Sequence, residues 1–584
     1  MSALRSADTS RPATQERAPG PTIWDAHGAS ILTLVTLAAF ATAVGLLIYL
    51  GRGLWFFSDE WAFLLNRREL TLAVVMRPHN EHWVAVPVLL YRGLFAVGGL
   101  TNYWPYYLTA LAFHTAATVA GWLALRRFGM PPLPALLAGL SLLLMGKAST
   151  QLFNAFQIGW TIPILLFLVA LVLLDRTEPT SRRDRWASAC LALAMPFAGI
   201  SIALVAGTAA ALVIRRQFRR ALLVTGPALA SYALWRAIWG VSPPIALETL
   251  IRVPGFIGYG LATAVSGFTG LPMAASGVLL TLFGLAVTVR AVRGGLPLSA
   301  WASLFSLLAF LGIAGIARVP QFGITQARAS HYLYLDLLLL LIVLAALLKP
   351  LWPTAGTTVP AGGTTVVEVA TAVFAACLVV NVFALRDATR EHRALKGESA
   401  VRIVAANTLL EKGIPHVRDA QPDPDWAPDV TAGKLSALQA DGIPMSYRGR
   451  VQSTDAVLRD ERLRLQHAFL YGPGRTADVR LVAGSAQVTS ARDGCATIRA
   501  GSGNVLGLEA TQGQLQIVPK ADTVVHVGRS ERPADFFGVR LQKATVHHLE
   551  LALPARPDTG GLLLLSFPDE VELELCARTF IDAR

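Results

Sequence analysis

The sequence predicts a polytopic α-helical membrane protein of about 11 spans that ends in a β-sandwich domain outside the cytoplasm. Of its 584 residues, 53% are hydrophobic and only 15% are charged, whereas soluble domains carry nearer a quarter of charged residues. Apolar runs long enough to cross a bilayer follow one another as far as residue 385, and short alternating segments replace them afterwards.

Basic residues occur in short clusters between the apolar runs. Examples are Arg126-Arg127, the Arg182–Arg185 segment and the Arg215–Arg220 segment. This is the positive-inside pattern, which directs such loops toward the cytoplasm. The net charge of +13 therefore indicates a lipid bilayer as partner, and it does not indicate nucleic acid, which is bound by basic patches or stripes.

The first apolar run, Ala29–Leu50, predicts an uncleaved anchor. An Ala-x-Ala sequence at 41–43 also suits a signal peptide, but the run continues past it to the roughly 20 residues that a span needs. Residues 1–28 then form a cytoplasmic tail, and residues 51–102 form a long external loop. The stretch WVAVPVLLYRGLFAVGGL in that loop predicts a helix lying along the membrane interface.

Residues 186–214 pose a topological problem because both ends of this apolar run are basic. A chain that leaves and returns within this length can form only two half-depth helices, which we expect to hinge near MPFAGIS. Such a pair implies a cavity on the outer side, and residues 241–270 predict an external loop with an interfacial helix. The remaining spans are expected near 103–125, 133–145, 158–174, 221–239, 276–289, 298–317, 333–348 and 366–385.

Residues 386–584 predict an extracytoplasmic β-rich domain that begins with a helical stretch, ESAVRIVAANTLLEKG. Short alternating strands with Gly, Pro and Asp at their turns favour a β-sandwich. Cys495 and Cys576 both lie in this domain, where an oxidising compartment would permit a disulfide between them. Cys190 and Cys377 lie in spans and are expected to be apolar fillers.

The stretch FFSDEW places two acids, Asp59 and Glu60, among aromatic residues directly after the first span. A carboxylate beside such side chains loses hydration, and its pKa rises toward the range of a general base. The alternative is a helix cap, since Ser58 or Asp59 could serve as the N-cap of the apolar segment that follows.

A second polar group in the external loop is RPHNEHW, residues 77–83. His79, Glu81 and His82 have a spacing that would suit a divalent metal on one helical face, with Asp59 or Glu60 as a further ligand. In the other interpretation, Arg77, His79 and His82 contact an anionic phosphate or a sugar hydroxyl. In the third interpretation, this segment is a polar loop that only contacts lipid headgroups.

The third group, QARASHYLYLD, lies at the outer mouth of a late span. Arg328 and His331 are candidates for holding a phosphate, while Tyr332 and Tyr334 would sit at the interface. Asp336 lies within the span, where an acid is a functional candidate by default. An aromatic belt explains the tyrosines equally well.

The order of these features resembles the GT-C superfamily of membrane glycosyltransferases, including its protein mannosyltransferase-like members. The resemblance rests on a cytoplasmic tail, one span, a long external loop bearing SDEW, two interfacial helices, a helical bundle and an external C-terminal domain. RASHYLY is similar to late-span Arg-Tyr stretches of bacterial members, with His331 where Arg is frequent. Residues 29–385 would form the catalytic module.

The resemblance implies a polyprenyl-phosphate-linked sugar donor and an acceptor in the cell envelope that is a glycan, a lipid or a protein. Transfer would occur with inversion on the outer face of the cytoplasmic (inner) membrane. Asp59 would deprotonate the acceptor, and Glu60 would assist. The departing phosphate would be stabilised by cationic and polar groups. Monosaccharide-phosphate donors require no cofactor, whereas diphosphate donors often require a divalent metal. Candidates for contacting the donor are Arg77, His79, His82, Arg328, His331 and Tyr332.

Two other classes remain open from the sequence. One is a transporter or flippase of lipid-linked glycans, and the other is a non-catalytic envelope scaffold. Transporters often show paired repeats and charges deep in several spans, whereas here no repeat is visible and the polar residues gather on one side. The sequence therefore favours an enzyme. The β-rich domain either grips acceptor glycan or serves as a structural cap.

Overall fold

The chain folds into a helical part followed by an all-β part. The computed structural model describes residues 23–175, 181–241, 246–352, 363–414, 416–447, 458, 467–470, 478–492, 494–510, 513–528, 537–551 and 562–582. The helices are α1 Ile23–Leu50, α2 Asp59–Leu65, α3 Leu72–Met76, α4 Ala85–Gly98, α5 Trp104–Arg127, α6 Pro132–Leu143, α7 Ser149–Phe153, α8 Ile158–Leu174, α9 Ser181–Ala194, α10 Ile200–Ile214, α11 Phe218–Trp239, α12 Leu247–Thr269, α13 Met273–Val292, α14 Leu298–Phe322, α15 Ser330–Leu348, α16 Gly363–Glu411 and α17 Ala432–Ala440.

Nine helical segments in the described residues are long and apolar enough to cross a membrane. They coincide with the nine full spans expected from the sequence, and α9 and α10 account for the remaining two short segments. The nine segments are Ile31–Leu50, Trp104–Arg127, Pro132–Phe153, Ala155–Leu174, Phe218–Trp239, Met273–Val292, Leu298–Phe322, Ser330–Leu351 and Thr364–Glu411.

The basic clusters of the sequence lie together at one end of the bundle, here called the basic end. Arg127 Nε is 3.5 Å from Asp175 Oδ2, which joins the ends of α5 and α8. Arg220 binds the buried carboxylate of Asp184, with a shortest distance of 2.8 Å, and joins α11 to α9. The opposite end, called the loop end, carries α2, α3, α4 and α7.

The expected pair of short helices is present. α9 and α10 have 14 and 15 residues, which corresponds to about 21 and 22 Å. Their hinge packs against the loop of residues 51–102: the Val86 N–H donates to Pro196 O at 3.1 Å. Gly199 touches His82 so closely that a Cβ there would lie 2.5 Å from His82 Nδ1.

α12 lies at the loop end, within residues 241–270, for which the sequence predicts an interfacial helix. It packs on α14 and on a 3₁₀ turn, Ile324–Arg328. The contact is close at Gly260, where a Cβ would lie 3.1 Å from Leu311 Cδ2 and 3.4 Å from Ala327 Cβ.

α16 runs without a break through the expected domain boundary at residue 386. Its 49 residues correspond to about 74 Å, so the predicted separate stretch ESAVRIVAANTLLEKG is the continuation of the last span. The second half of this helix and α17 pack on the loop of residues 51–102, since Ile403, Ala406 and Leu435 share a core with Phe56 and Trp61.

The C-terminal part forms two six-stranded sheets with a core of its own. One sheet has the order β1-β9-β6-β11-β4-β3, and the other β12-β2-β5-β10-β7-β8. All pairs are antiparallel except β12 with β2. Cys495 and Cys576 are direct register partners on β4 and β11, and a disulfide joins them. The strands are β1 His467–Leu470, β2 Asp478–Gly484, β3 Gln487–Arg492, β4 Cys495–Ala500, β5 Asn504–Ala510, β6 Gly513–Pro519, β7 Thr523–Gly528, β8 Phe537–Leu541, β9 His547–Leu551, β10 Leu562–Phe567, β11 Val571–Cys576 and β12 Thr579–Asp582.

Candidate functional site

The two adjacent acids of FFSDEW enter different surroundings. α2 begins at Asp59, after Ser58 with φ of 53°, and Ser58 makes no side-chain capping bond. The Asp59 side chain is 45% exposed, whereas Glu60 is fully buried. Consecutive residues at a helix start point about 100° apart, so one acid faces outward while the other enters the core.

Glu60 is surrounded by hydrogen-bond donors. The Phe57 N–H donates to Glu60 Oε2 at 2.8 Å. The hydroxyls of Tyr91 and Tyr103 donate to Oε1 at 2.8 and 2.9 Å. The Lys396 ammonium lies 3.9 Å from Oε2. These four side chains, Glu60, Tyr91, Tyr103 and Lys396, are called the Glu60 cluster.

The Glu60 cluster ties the second half of α16 to the loop of residues 51–102. Lys396 Nζ donates to Phe153 O at 2.8 Å and to Trp55 O at 3.3 Å. Burial raises the pKa of Glu60, while Lys396 and then the donated hydrogen bonds oppose that rise. The expected role of Glu60 in assisting the acceptor does not fit this enclosure, because no surface of its carboxylate is open to a ligand.

The aromatic residues around the acids form this core and do not line an open site. Phe56 makes edge contacts with Tyr103 and Tyr106, with ring centroids 5.1 and 5.0 Å apart. Trp61 packs on Trp55 at 5.3 Å. Their function is to bury the first turn of α2, which fixes the direction in which Asp59 leaves it.

RPHNEHW forms a tight turn and not the expected helical face. His79 and His82 exchange both backbone hydrogen bonds, at 3.1 and 3.0 Å, and Asn80 and Glu81 have φ of 46° and 55°. Positive φ at both central positions is the type I′ geometry. Directly paired residues point to the same face of such a ribbon, so the two histidines share one side of the turn.

His79 and Asp59 meet at the loop end. His79 Nε2 lies 3.4 Å from Asp59 Oδ1, and this nitrogen has no hydrogen-bond partner among the described residues. The imidazole is held by edge contact with Phe63 at 5.2 Å and by Phe156 at 5.6 Å. An imidazole that packs against aromatic rings and lies beside an accessible carboxylate can exchange a proton with it.

Arg318 supplies the cation of the same site. Its guanidinium lies 3.6 Å from Glu81 Oε2 and its side chain is 19% exposed. Burial, together with the charges of Arg318 and His79, lowers the pKa of His82 to about 4. His82 is therefore a neutral hydrogen-bonding group near neutral pH.

His331 and Tyr332 form the wall of this site on the side of α15. His331 interacts electrostatically with Asp59, Arg318 and His82. Trp160 of α8 stacks on Tyr332 with centroids 5.7 Å apart and meets the edge of His331 at 4.9 Å. The residues Asp59, His79, Glu81, His82, Arg318 and His331 are called the loop-end cluster.

Sequence reasoning missed Arg318, although a signal was present. It is the one charged residue in the 25 residues of α14, and an ionisable residue within an apolar span is a functional candidate by default. Lys396 was missed for another reason, since it lies in a polar stretch of helix where lysine is common.

Two expected phosphate contacts lie apart from the cluster. The Arg77 guanidinium donates to Asn66 O at 3.0 Å, and Arg328 is exposed at the end of the 3₁₀ turn. Arg67 has a structural role. It is buried, and it donates hydrogen bonds to Val74 O, Arg77 O and Pro78 O at 2.7, 2.7 and 2.8 Å. These bonds hold the segment that leads into His79.

The tyrosines and the acid of QARASHYLYLD are more deeply buried than expected. Tyr334 does not sit at an interface, because it is fully buried and its hydroxyl bonds Thr118 Oγ1 at 2.9 Å. Asp336 is also fully buried, and neither carboxyl oxygen has a hydrogen-bond partner among the described residues. It lies one helical turn beyond Tyr332.

The described residues do not bring His79, Glu81 and His82 together as a metal site. Their one group of three ligating side chains with ligand atoms within 4.8 Å of one another is Cys495, Glu574 and Cys576. That group includes both sulfurs of the disulfide, which are not available as thiolates. In the loop-end cluster, the carboxylate of Glu81 faces Arg318.

A segment beyond α16 covers the start of α2. The Ser58 N–H donates to Trp426 O at 2.8 Å, and the Trp426 ring stacks on Phe57 with centroids 5.2 Å apart. Trp426 remains 43% exposed. Arg68 pairs with Asp441, and Asn66 Nδ2 donates to Asp429 Oδ1 at 2.5 Å. The residues before and after Asp59 are thus held by the segment between α16 and the first strand.

Comparisons of the chain with protein-family models, with curated proteins and with solved structures gave no match. Any functional conclusion therefore depends on the chemistry of the loop-end cluster and on its position in the bundle.

Proposed function

We propose that this protein is an integral membrane glycosyltransferase that moves a sugar from a polyprenyl-phosphate-linked donor to a cell-envelope acceptor. The observation that carries the proposal is the loop-end cluster, in which the accessible carboxylate of Asp59, the imidazole of His79 and the guanidinium of Arg318 lie close to one another. A base and a cation close together are what an inverting transfer from a phosphate leaving group requires.

The depth at which the loop-end cluster lies in the bundle favours a lipid-linked donor. The hinge between α9 and α10 supports His82, and helices of 14 and 15 residues reach only about 21 to 22 Å. A hydrocarbon core is about 30 Å thick, so the floor of the site would lie roughly 8 Å inside it. A sugar phosphate attached to a membrane lipid can reach such a site from within the bilayer.

Asp59 acts as the base in this proposal. Its carboxylate removes the proton of an acceptor hydroxyl while the acceptor oxygen forms a bond to the anomeric carbon. The bond from that carbon to the phosphate oxygen breaks, and polyprenyl phosphate leaves. The proton remains on Asp59 or passes to the adjacent His79, whose Nε2 is 3.4 Å away.

Arg318 stabilises the charge that develops on the departing phosphate oxygen. Neutral His82, together with His331 and Tyr332, adds hydrogen-bonding groups beside Arg318. Arg77 and Arg328, which the sequence also suggested, have no part here because they lie outside the cluster. No step is assigned to a metal ion.

The orientation follows from the positive-inside rule. With the basic end in the cytoplasm, the loop end faces the outer side of the cytoplasmic (inner) membrane. The N-terminus is then cytoplasmic, and the β-rich domain is extracytoplasmic, the compartment in which a disulfide such as Cys495–Cys576 persists. The acceptor would be an envelope glycan, lipid or protein.

The test is release of free polyprenyl phosphate by purified protein in nanodiscs, supplied with a panel of polyprenyl-phosphate sugars and envelope extract. Wild type and Glu69→Gln, a variant of an exposed acid in the same loop, should release it equally. Asp59→Asn should lower release at least about a hundredfold while the protein remains folded. Equal release by Asp59→Asn contradicts the assigned base, and no release with any donor favours transport or scaffolding.

A further inference from the structure

We infer that the cleft between α13, α15 and α16 binds one anionic phospholipid, with its acyl chains in the cleft and its phosphate on Arg290 and Arg293. This site does not depend on the proposed glycosyl transfer. Its two arginines lie at the basic end, on a part of the bundle that the loop-end cluster does not use.

The cleft has the size of a ligand site. Its volume is about 730 Å³, within the range of about 300 to 1,000 Å³ that is usual for bound small molecules. Apart from the two arginines and Thr269, its lining is apolar. Leu282 and Phe283 of α13 face Leu340 and Leu344 of α15, and Phe374 of α16 completes the wall.

The cleft exists because α13 stands away from the bundle. Of the residues of α13, only Ser276 and Val287 are buried, and Leu282 and Leu285 are 58% and 61% exposed. An apolar wall with no atoms against it forfeits dispersion contacts. In a bilayer, the material that restores them is a hydrocarbon chain, since water would gain no hydrogen bonds from these side chains.

Two arginines at one end of the cleft select the headgroup. Arg290 lies in the last turn of α13, and Arg293 is its C-cap residue. Arg290 Nε has no hydrogen-bond partner among the described residues. No ion pair among the described residues involves Arg290 or Arg293. A guanidinium binds phosphate oxygens with two parallel hydrogen bonds, and two such groups favour a lipid with net negative charge.

The lipid phosphate would lie far from the loop-end cluster. Arg293 leads directly into α14, which begins at Leu298, and Arg318 lies 20 residues further along that helix. This separation corresponds to about 30 Å along the helix axis. The bound lipid is therefore a constituent of the fold that holds α13 against α15, and it is not the sugar donor.

The experiment is native mass spectrometry of delipidated full-length protein titrated with phosphatidylglycerol or phosphatidylcholine. Wild type should retain one phosphatidylglycerol at least about tenfold more tightly than phosphatidylcholine, which corresponds to about 1.4 kcal/mol. Arg290→Gln with Arg293→Gln should abolish that preference. The matched control, Arg182→Gln with Arg219→Gln, removes two exposed arginines from the same end and should keep it.

A second variant separates the acyl chains from the headgroup. Ala286 lines the cleft, so Ala286→Phe should displace both lipids while leaving the arginines in place. Equal retention of the two lipids by wild type, or unchanged retention by the double arginine variant, would overturn the assignment. Displacement of phosphatidylglycerol by equimolar polyprenyl phosphate would also overturn it, because the cleft would then belong to a donor lipid.

Discussion

The loop-end cluster and the Glu60 cluster begin one residue apart in the chain but differ in exposure and in partners. Asp59 is 45% exposed, and the imidazole of His79 lies 3.4 Å from its carboxylate. Glu60 is fully buried, accepts three hydrogen bonds and faces an ammonium group. One acid is open to a ligand, and the other is satisfied within the protein.

In the proposed mechanism, the structural acid Glu60 positions the catalytic base Asp59. Glu60 fixes the first turn of α2 through Phe57, Tyr91 and Tyr103, and Lys396 links that turn to α16. Asp59 then leaves the helix in a direction set by its neighbour. Residues adjacent in sequence can therefore contribute to one site through entirely different interactions.

The largest effect should come from breaking the Glu60 cluster. Glu60→Gln leaves the buried ammonium of Lys396 without its anion and places an amide NH₂ among hydrogen-bond donors. Removing one partner of a buried pair costs about 3 to 5 kcal/mol, so the unfolding midpoint in nanodiscs should fall by many degrees. Adding Lys396→Met removes the uncompensated charge and should recover part of the loss. An unchanged midpoint for Glu60→Gln would show that the pair is not structural.

The next effect concerns the cation of the loop-end cluster. Arg318→Gln should lower polyprenyl phosphate release by about 10² to 10³, as removal of a group that stabilises developing charge does. Arg328→Gln, which removes an exposed arginine at the same end, should change release less than about twofold. Comparable losses in the two variants would mean that the phosphate is not bound where Arg318 lies.

A smaller effect should be seen in the pH dependence of stability that His82 causes. The folded protein holds the pKa of His82 at about 4, against an ordinary value of 6.5. Between these values the unfolded chain binds a proton that the folded protein does not, so stability falls as pH decreases through this window. The free energy of unfolding of wild type should fall by on the order of 2 to 3 kcal/mol across this window, and His82→Asn should not show that fall. Unfolding midpoints at pH 7.5 and 4.5 test this, and equal pH dependence in both proteins contradicts it.

The smallest of these effects should follow from a change in Arg67. Arg67→Lys keeps the charge but cannot reach Val74 O, Arg77 O and Pro78 O together, since lysine lacks the planar fork of arginine. The segment before His79 should loosen, and release should fall about tenfold, equivalent to 1.4 kcal/mol. Hydrogen exchange at residues 74–79 should rise in parallel. Loss of release without faster exchange would show that Arg67 acts in another way.

Much of the fold could be predicted from the sequence because bilayer thickness fixes span length. The nine long helices of the described residues, the short pair hinged near residues 195–201 and the helices α4 and α12 follow from runs of apolar residues and the charges at their ends. The cysteine pair was also predictable, since both residues lie in strands of the same domain.

The site could be predicted only in part. Asp59, His79, His82 and His331 were candidates, and the structure brings them together. The separation of Asp59 from Glu60 could not be foreseen, because Lys396 is 336 positions away in the chain. The turn at His79–His82 was also hidden, since Glu81 adopts a positive φ that its side chain does not favour.

The most direct test of the account compares Asp59→Asn and Glu60→Gln in the same preparation. Polyprenyl phosphate release per folded molecule and the unfolding midpoint are measured for each. The account predicts that Asp59→Asn loses at least about a hundredfold in release with little change in midpoint. It predicts that Glu60→Gln lowers the unfolding midpoint. Assayed below that midpoint, Glu60→Gln should lower release by less than about tenfold. The reverse assignment, with Glu60→Gln inactive and stable, would contradict it.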